Sequence, residues 1–213
     1  MSDLRITEIF LSLQGESRSV GWPTVFIRLT GCPLRCVYCD TAYAFKGGAW
    51  LSRQQILCKV AGWPVRHVTV TGGEPLAQKP VLELLESLCD QGYEVSLETS
   101  GSLDIDSVDE RVSVVMDIKT PASGESEKNH WPNIEQIKAK DQVKFVLSHR
   151  EDYLWARQRL EQHRLDQRCE VLFSPVYGML DAVDLADWIV EDALPVRFQI
   201  QLHKLLWGDR PGK

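Results

Sequence analysis

No stretch of this 213-residue chain approaches the roughly 18 consecutive apolar residues that a membrane-spanning helix requires, so no membrane partner is expected. Met1 to Thr7 lack a basic region followed by an apolar run, which argues against a signal peptide and for a cytoplasmic location. Clustered cationic charge is missing too. Lys and Arg total 24 against 30 Asp and Glu, a formal net charge of -6, whereas binding a phosphate backbone needs grouped Lys and Arg. The densest basic stretch, Arg157 to Arg168, is broken by Glu161 and Asp166 and reads as a solvated helix face, so nucleic acid is not expected as a partner. Repeats, low-complexity tracts and long linkers are also absent, and residues 1–213 read as one domain. The remaining composition is that of an ordinary folded protein, 44% hydrophobic and 25% charged, long enough for one well-buried core.

Cysteine is scarce, at six residues, and in a reducing compartment these stay thiols unless a metal holds them. Cys58, Cys89 and Cys169 are scattered through apolar segments and are expected to be small buried core residues. Cys32, Cys36 and Cys39 lie close together in Gly31-Cys32-Pro33-Leu34-Arg35-Cys36-Val37-Tyr38-Cys39-Asp40. Three thiolates at this C-x3-C-x2-C spacing suit three irons of a cubic cluster and leave the fourth open to an outside ligand. An open position is what separates a catalytic metal site from a closed structural one. The alternative is a structural zinc site with a fourth ligand from His67, His130, His149, His163 or His203, none of which lies at zinc-finger spacing. Three unliganded thiols in a solvated loop would be an oxidation liability.

Short strand-like runs alternate with helix-like ones. Thr24 to Leu29 leads straight into the first clustered cysteine. Ser52, with Gln55 three residues on, has the form of a capping box, and Gly62 is the natural stop of the helix it begins. His67 to Thr71 is rich in β-branched residues and ends in Gly72 and Gly73, while Pro80 opens and Gly92 closes the next helix. Further strands are expected at Glu94 to Thr99, Val112 to Ile118, Val143 to Leu147, Val171 to Phe173 and Val196 to Leu202, with helices around 151–163 and 181–191. This alternation predicts an α/β protein whose mostly parallel strands form at most a partial, TIM-like barrel. Ligands collect at the carboxyl ends of such strands. Cys32, Gly72-Gly73-Glu74, Thr99-Ser100-Gly101 and Lys119-Thr120 follow four successive predicted strands, so one site on one rim is expected.

On these residues the chain resembles the radical S-adenosylmethionine superfamily. The resemblance implies a 4Fe–4S cluster on Cys32, Cys36 and Cys39, with the amino and carboxylate groups of S-adenosyl-L-methionine on the unique iron and cleavage of that cofactor to a 5′-deoxyadenosyl radical. Tyr38 is the aromatic residue the superfamily signature has before its third cysteine. Thr71-Gly72-Gly73-Glu74-Pro75 is similar to the superfamily's GGEP segment, which contacts the cofactor's amino group; glycines admit close backbone approach and Glu74 is an acceptor for an ammonium.

Three further segments narrow the resemblance. Glu8 to Glu16 reads EIFLSLQGE, with Arg28 in the strand that follows; Asp40-Thr41 succeeds the third cysteine; Arg197 to Lys204 reads RFQIQLHK. Over nearly the whole chain these resemble the 7-carboxy-7-deazaguanine synthase family, lyases of the queuosine and deazapurine pathway. The resemblance implies radical ring contraction of 6-carboxy-5,6,7,8-tetrahydropterin to 7-carboxy-7-deazaguanine with loss of ammonia, with no catalytic residue beyond the cluster and cofactor. Leu13, Gln14, Gly15, Glu16, Arg28 and Thr71 would contact the substrate, with His203 on the same side. Amide and carboxylate groups suit a guanine-like edge, and Arg28 suits a carboxylate. Thr41 would be a hydroxyl ligand to Mg2+. Tyr38, Cys39, Asp40, Gly73, Glu74, Lys119, Thr120, Pro121, Ser174, Pro175, Val176 and Tyr177 would contact the cofactor. A flavodoxin or ferredoxin reductant and a homodimer are implied as well. The chain departs from the family twice: Lys119-Thr120-Pro121 stands in place of Ser-Pro-Lys, and Ser17 stands where glycine commonly follows QGE.

Without the resemblance, Thr41 is an ordinary loop threonine, Arg28 a surface-strand cation and His203 a core histidine. A glycyl-radical activating protein would share the cysteine spacing but leaves QGE and Asp40-Thr41 unexplained. A non-catalytic iron–sulfur or zinc protein would show no response to S-adenosylmethionine.

Overall fold

The computed structural model describes residues 3–208 together with Arg210 and Gly212. Its strands are β1 (Leu4–Leu13), β2 (Pro23–Leu29), β3 (Ala49–Leu51), β4 (His67–Gly72), β5 (Glu94–Thr99), β6 (Ser113–Ile118), β7 (Gln142–Leu147), β8 (Glu170–Pro175) and β9 (Arg197–Phe198). They form one sheet in the order β3-β1-β2-β4-β5-β6-β7-β8-β9. From β2 to β9 all pairings are parallel, and β1 runs antiparallel to both β2 and β3. The helices are α1 (Arg53–Val60), α2 (Val81–Asp90), α3 (Arg150–His163), α4 (Ala182–Glu191) and α5 (Leu202–Trp207). The result is the expected α/β architecture, an incomplete TIM-like barrel. Among the described residues, no helix is long and apolar enough to cross a membrane.

Local chemistry accounts for the elements read correctly. At α1 the capping box is formed: Gln55 N–H donates to Ser52 Oγ at 3.3 Å, and Ser52 N–H donates to Gln55 Oε1 at 2.8 Å. Pro80 caps α2, which needs no N–H at that position, and Gly92 turns the chain out of it at φ +82°. Strands β4, β7 and β8 are buried on both faces along most of their length, as parallel strands covered on both sides are. One core cluster joins β1, β2, β4 and β5 to α1 and α2; the other joins β6, β7 and β8 to α3 and α4.

Four details differ from the sequence reading. Strand β1 went unpredicted, because a bulge between Ile6 and Glu8 breaks its alternation, and β3 was missed as a short edge strand. The run expected as a strand over Val196 to Leu202 pairs only at Arg197–Phe198, since Gln199 and Gln201 turn toward the loop after β1 and α5 begins at Leu202. Cys169 is buried as expected and Cys89 is half-buried, but Cys58 is exposed: α1 buries Ile56, Leu57 and Val60 and leaves Cys58 on its outer face.

Candidate active site

The carboxyl ends of the parallel strands surround a cavity of about 400 Å³. Cys32, Cys36 and Cys39 all face it, from the loop that leaves β2. This loop is anchored from several directions. Val37 N–H donates to Ser123 O at 3.0 Å, Arg35 N–H to Glu125 Oε1 at 2.6 Å, and the Arg35 guanidinium to Cys32 O at 2.7 Å while lying over the Phe45 ring. Tyr38 reaches behind the loop, its hydroxyl 3.3 Å from Val146 O, and burial pushes its pKa up to about 12.

The cysteine side chains fit an iron–sulfur cluster. Burial raises all three thiol pKa values, that of Cys36 to about 11, and coordination to iron is the interaction that would draw the protons off such half-buried thiols. Cys32 Sγ already accepts the Leu34 N–H at 3.4 Å, and the Thr41 N–H serves Cys39 in the same way, the type of bond that tunes cluster thiolates. A structural zinc site would need a fourth protein ligand meeting the three thiolates at one ion. A cubic cluster instead takes each thiolate on a different iron.

The Gly72-Gly73 turn is interlocked with this loop. Gly73 N–H donates to Leu29 O at 3.1 Å and Glu74 N–H to Gly31 O at 2.8 Å; a Cβ on Gly73 would collide with the Gly31 carbonyl. Glycine is therefore required by close approach, and Gly73 lines the cavity. Glu74 behaves differently from the expectation. Its carboxylate is fully buried and accepts from Leu76 N–H, Thr99 Oγ1, Ser100 N–H and Ser100 Oγ at 2.5–3.0 Å. It ties the loop after β4 to the loop after β5 and does not line the cavity, so it is not placed to take the cofactor's ammonium.

Of the other residues expected at the cofactor, Tyr38, Cys39, Asp40, Lys119, Val176 and Tyr177 line the cavity. Thr120, Pro121, Ser174 and Pro175 do not. Thr120 is buried, with its hydroxyl donating to Val146 O; Pro121 is exposed at the start of a short 3-10 turn; Ser174 and Pro175 are buried in β8. Lys119, although it precedes the Thr-Pro pair where the family's lysine follows Ser-Pro, lines the cavity and pairs with Asp117 at 3.1 Å.

All the residues expected at the substrate line this cavity: Leu13, Gln14, Gly15, Glu16, Arg28, Thr71 and His203, with Thr41 beside them. Gln14 Nε2 donates to Thr69 Oγ1 at 3.1 Å and Glu98 Oε1 at 3.2 Å, and Thr71 Oγ1 donates to Glu98 Oε2 at 2.9 Å. Arg28 Nε donates to Glu8 Oε1 at 2.7 Å, and its guanidinium lies near the rings of Phe10 and Tyr43. Thr41 Oγ1 donates to Asp40 Oδ1 at 2.6 Å. His203 packs so closely on Gly15 that a Cβ there would strike its ring, and Leu202 N–H donates to Gly15 O at 3.0 Å. Segment 199–203 thus straps the QGE loop in place.

Among the cavity residues that the sequence reading did not assign to the site are the polar side chains Glu98, Asp117, Lys144 and Gln201. A signal was present for three of them. Glu98, Asp117 and Lys144 are charges inside the strands β5, β6 and β7 of a parallel sheet, where a charge is rare unless it is paired or functional.

Residues 26–121 match the family model of the radical SAM superfamily. The chain is 44% identical to a 7-carboxy-7-deazaguanine synthase of Chlorobaculum tepidum over 96% of its own length and 94% of the relative's. It is 41% identical to one of Koribacter versatilis over 96% and 97% of the two chains. Its fold is like that of the crystal structure of QueE from Escherichia coli, with a TM-score of 0.73 at 22% identity over 94% and 95% of the two chains. The chain therefore belongs to the 7-carboxy-7-deazaguanine synthase family, radical enzymes that work with a 4Fe–4S cluster and S-adenosylmethionine.

Proposed function

We propose that the chain, acting as one domain, converts 6-carboxy-5,6,7,8-tetrahydropterin to 7-carboxy-7-deazaguanine by radical ring contraction with loss of ammonia. The observation that carries this reading is the sharing of one cavity by three half-buried cysteines and by groups suited to a carboxylated pterin, Gln14, Glu16, Arg28 and Thr71. When bound, the cluster and S-adenosylmethionine supply a 5′-deoxyadenosyl radical, the species that removes hydrogen from substrates in this superfamily. Cys32, Cys36 and Cys39 hold the cluster. Tyr38, Cys39, Asp40, Gly73, Lys119, Val176 and Tyr177 hold the cofactor, with Glu74, Thr120, Pro121, Ser174 and Pro175 supporting that wall from behind.

On the substrate side, the Leu13 to Glu16 segment and Thr71 read the polar edge of the pterin. Arg28, one face of its charge already matched by Glu8, grips the carboxylate with its remaining N–H groups. Phe10, Phe26, Leu34 and Val115 supply the apolar walls that exclude water and protect a radical from side reactions. The Thr41 hydroxyl is a hard oxygen donor suited to Mg2+, which would share the substrate's oxygens and orient them. His203 secures the QGE loop. The reading extends to a flavodoxin or ferredoxin as electron donor, a homodimer and a cytoplasmic location, following the family.

The test is reconstitution with iron and sulfide under anaerobic conditions, followed by 6-carboxytetrahydropterin, S-adenosylmethionine, Mg2+ and dithionite. Mass spectrometry is expected to detect 7-carboxy-7-deazaguanine from the wild type and none from Cys36→Ala. Release of 5′-deoxyadenosine without that product would remove the pterin assignment while leaving the radical chemistry. One zinc and no iron in the purified protein would overturn both.

A further inference from the structure

Lys144 lies on β7, between Val143 and Phe145 of the core, and its side chain is 11% exposed. Its ammonium sits 2.6 Å from Glu16 Oε2 and 3.5 Å from Asp117 Oδ2, with Glu98 adding to the negative surroundings. Burial alone would drive a lysine toward its neutral form; here the three carboxylates outweigh burial and hold it charged. The effect is mutual. Burial disfavours the Glu16 anion, yet Lys144 and its hydrogen bond keep that carboxyl below its ordinary range.

Each carboxylate is fixed but not saturated. Glu16 Oε1 accepts from Gln201 Nε2 at 2.8 Å, and Oε2 accepts from Lys144 and, at 3.4 Å, from Gln199 Nε2. That leaves part of the capacity of an ionised carboxylate unused. Asp117, which lines the cavity, has Oδ2 facing Lys119 at 3.1 Å and Lys144 at 3.5 Å, while its Oδ1 is buried with no hydrogen-bond partner. A buried, unpartnered carboxylate oxygen is costly unless a ligand N–H completes it. The cavity also carries Glu16, Asp40, Glu98 and Asp117 together, a field that repels an anionic substrate unless cations among them offset it.

We propose that Lys144 is a positioning residue for the substrate: it anchors Glu16 and Asp117 at fixed places and offsets their charge, so that their open acceptor sites take N–H donors of a pterin that itself bears a carboxylate. This rests on the pterin reading above and adds Lys144 and Asp117 to it.

The test uses the reconstituted, cluster-bearing enzyme with S-adenosylmethionine and no reductant, and measures binding of 6-carboxypterin by equilibrium dialysis. Lys144→Met is expected to weaken binding by about ten-fold or more, the scale for removing one partner of a buried charged pair, and Lys144→Arg to recover most of the loss. In turnover, KM should rise by a larger factor than kcat falls. The double variant Glu16→Gln/Lys144→Met should bind no worse than the weaker single variant, because the two side chains act as one unit. Thermal melts establish that each variant is folded, and Lys144→Gln, which keeps a polar end, carries the test should the Met variant not fold. Wild-type affinity in a folded Lys144 variant, or losses that add in the double variant, would overturn the inference. Failure of the wild type itself to bind 6-carboxypterin would instead overturn the pterin reading.

Discussion

Ser17 sits at φ +68° with its side chain buried, a left-handed conformation that costs a residue bearing a Cβ about 1–2 kcal/mol. This is the physical reason for glycine after QGE in the family. The chain offsets part of the cost with one distant and one local contact: Ser17 N–H donates to Gln199 Oε1 at 2.8 Å, and the Ser17 and Ser19 hydroxyls are 3.2 Å apart. Ser17→Gly keeps the backbone bond and relieves the Cβ, so it should raise unfolding stability by about 0.5–1 kcal/mol in urea titrations. A lower midpoint would show that the hydroxyl pair outweighs the strain. Glu74 teaches the converse. By residue type it reads as a ligand for a charged amine, but donors from Leu76, Thr99 and Ser100 surround it, so its role is to join two loops.

Helices α1 and α2 begin and end on local signals, and the strands from β4 to β8 follow their runs of β-branched and apolar residues. The capping box of α1 is exposed and separate from the cavity, so Ser52→Ala should cost about 1 kcal/mol in chemical denaturation and leave product formation intact. No change in midpoint would mean that packing of Ile56, Leu57 and Val60 alone holds α1. Strand β1 was illegible for a related reason: its bulge and its mixed burial erase the period that marks a strand. At the other end, a sequence with strand character over Val196 to Leu202 yields to side-chain bonds that Gln199 and Gln201 make to the QGE loop.

Across the molecule, the Glu16 carboxylate of the cavity is held by side chains far away in the chain. Lys144 and Glu16 are separated by 128 positions, and Gln201 and Glu16 by 185. Glu16 is held below the ordinary carboxyl range by Lys144 against the opposing effect of burial, and Asp109 is lowered to about 2 by hydrogen bonds from Arg111. Because the folded-state values are depressed, the unfolded chain takes up protons first as pH falls. The stability these groups contribute is therefore fully present above about pH 5 and lost progressively as pH falls through the folded-state values, toward about 2 for Asp109. Urea midpoints should be level from neutral pH to about 5 and then fall steadily. The share from the solvent-exposed Asp109–Arg111 pair should shrink with added salt. A midpoint that rose on acidification would contradict the pairing of Glu16.

By itself the sequence determined what is local: the cysteine spacing, the Gly72-Gly73 turn, the capping box and the alternation of strands and helices that sets the site at one rim. These depend on residues within a few positions of each other, and backbone geometry fixes their outcome. The resemblance to known enzymes then assigned the segments around Gln14, Arg28 and Thr41, which chemistry alone reads as ordinary. Only the tertiary structure decided which groups of those segments face the cavity, that Glu74 and Thr120 stand behind it, and that Glu16, Glu98, Asp117 and Lys144 meet. Periodicity says which face of a strand is buried. Strand order and loop path choose the partner that a buried charge finds there, and that choice is made by residues more than a hundred positions away.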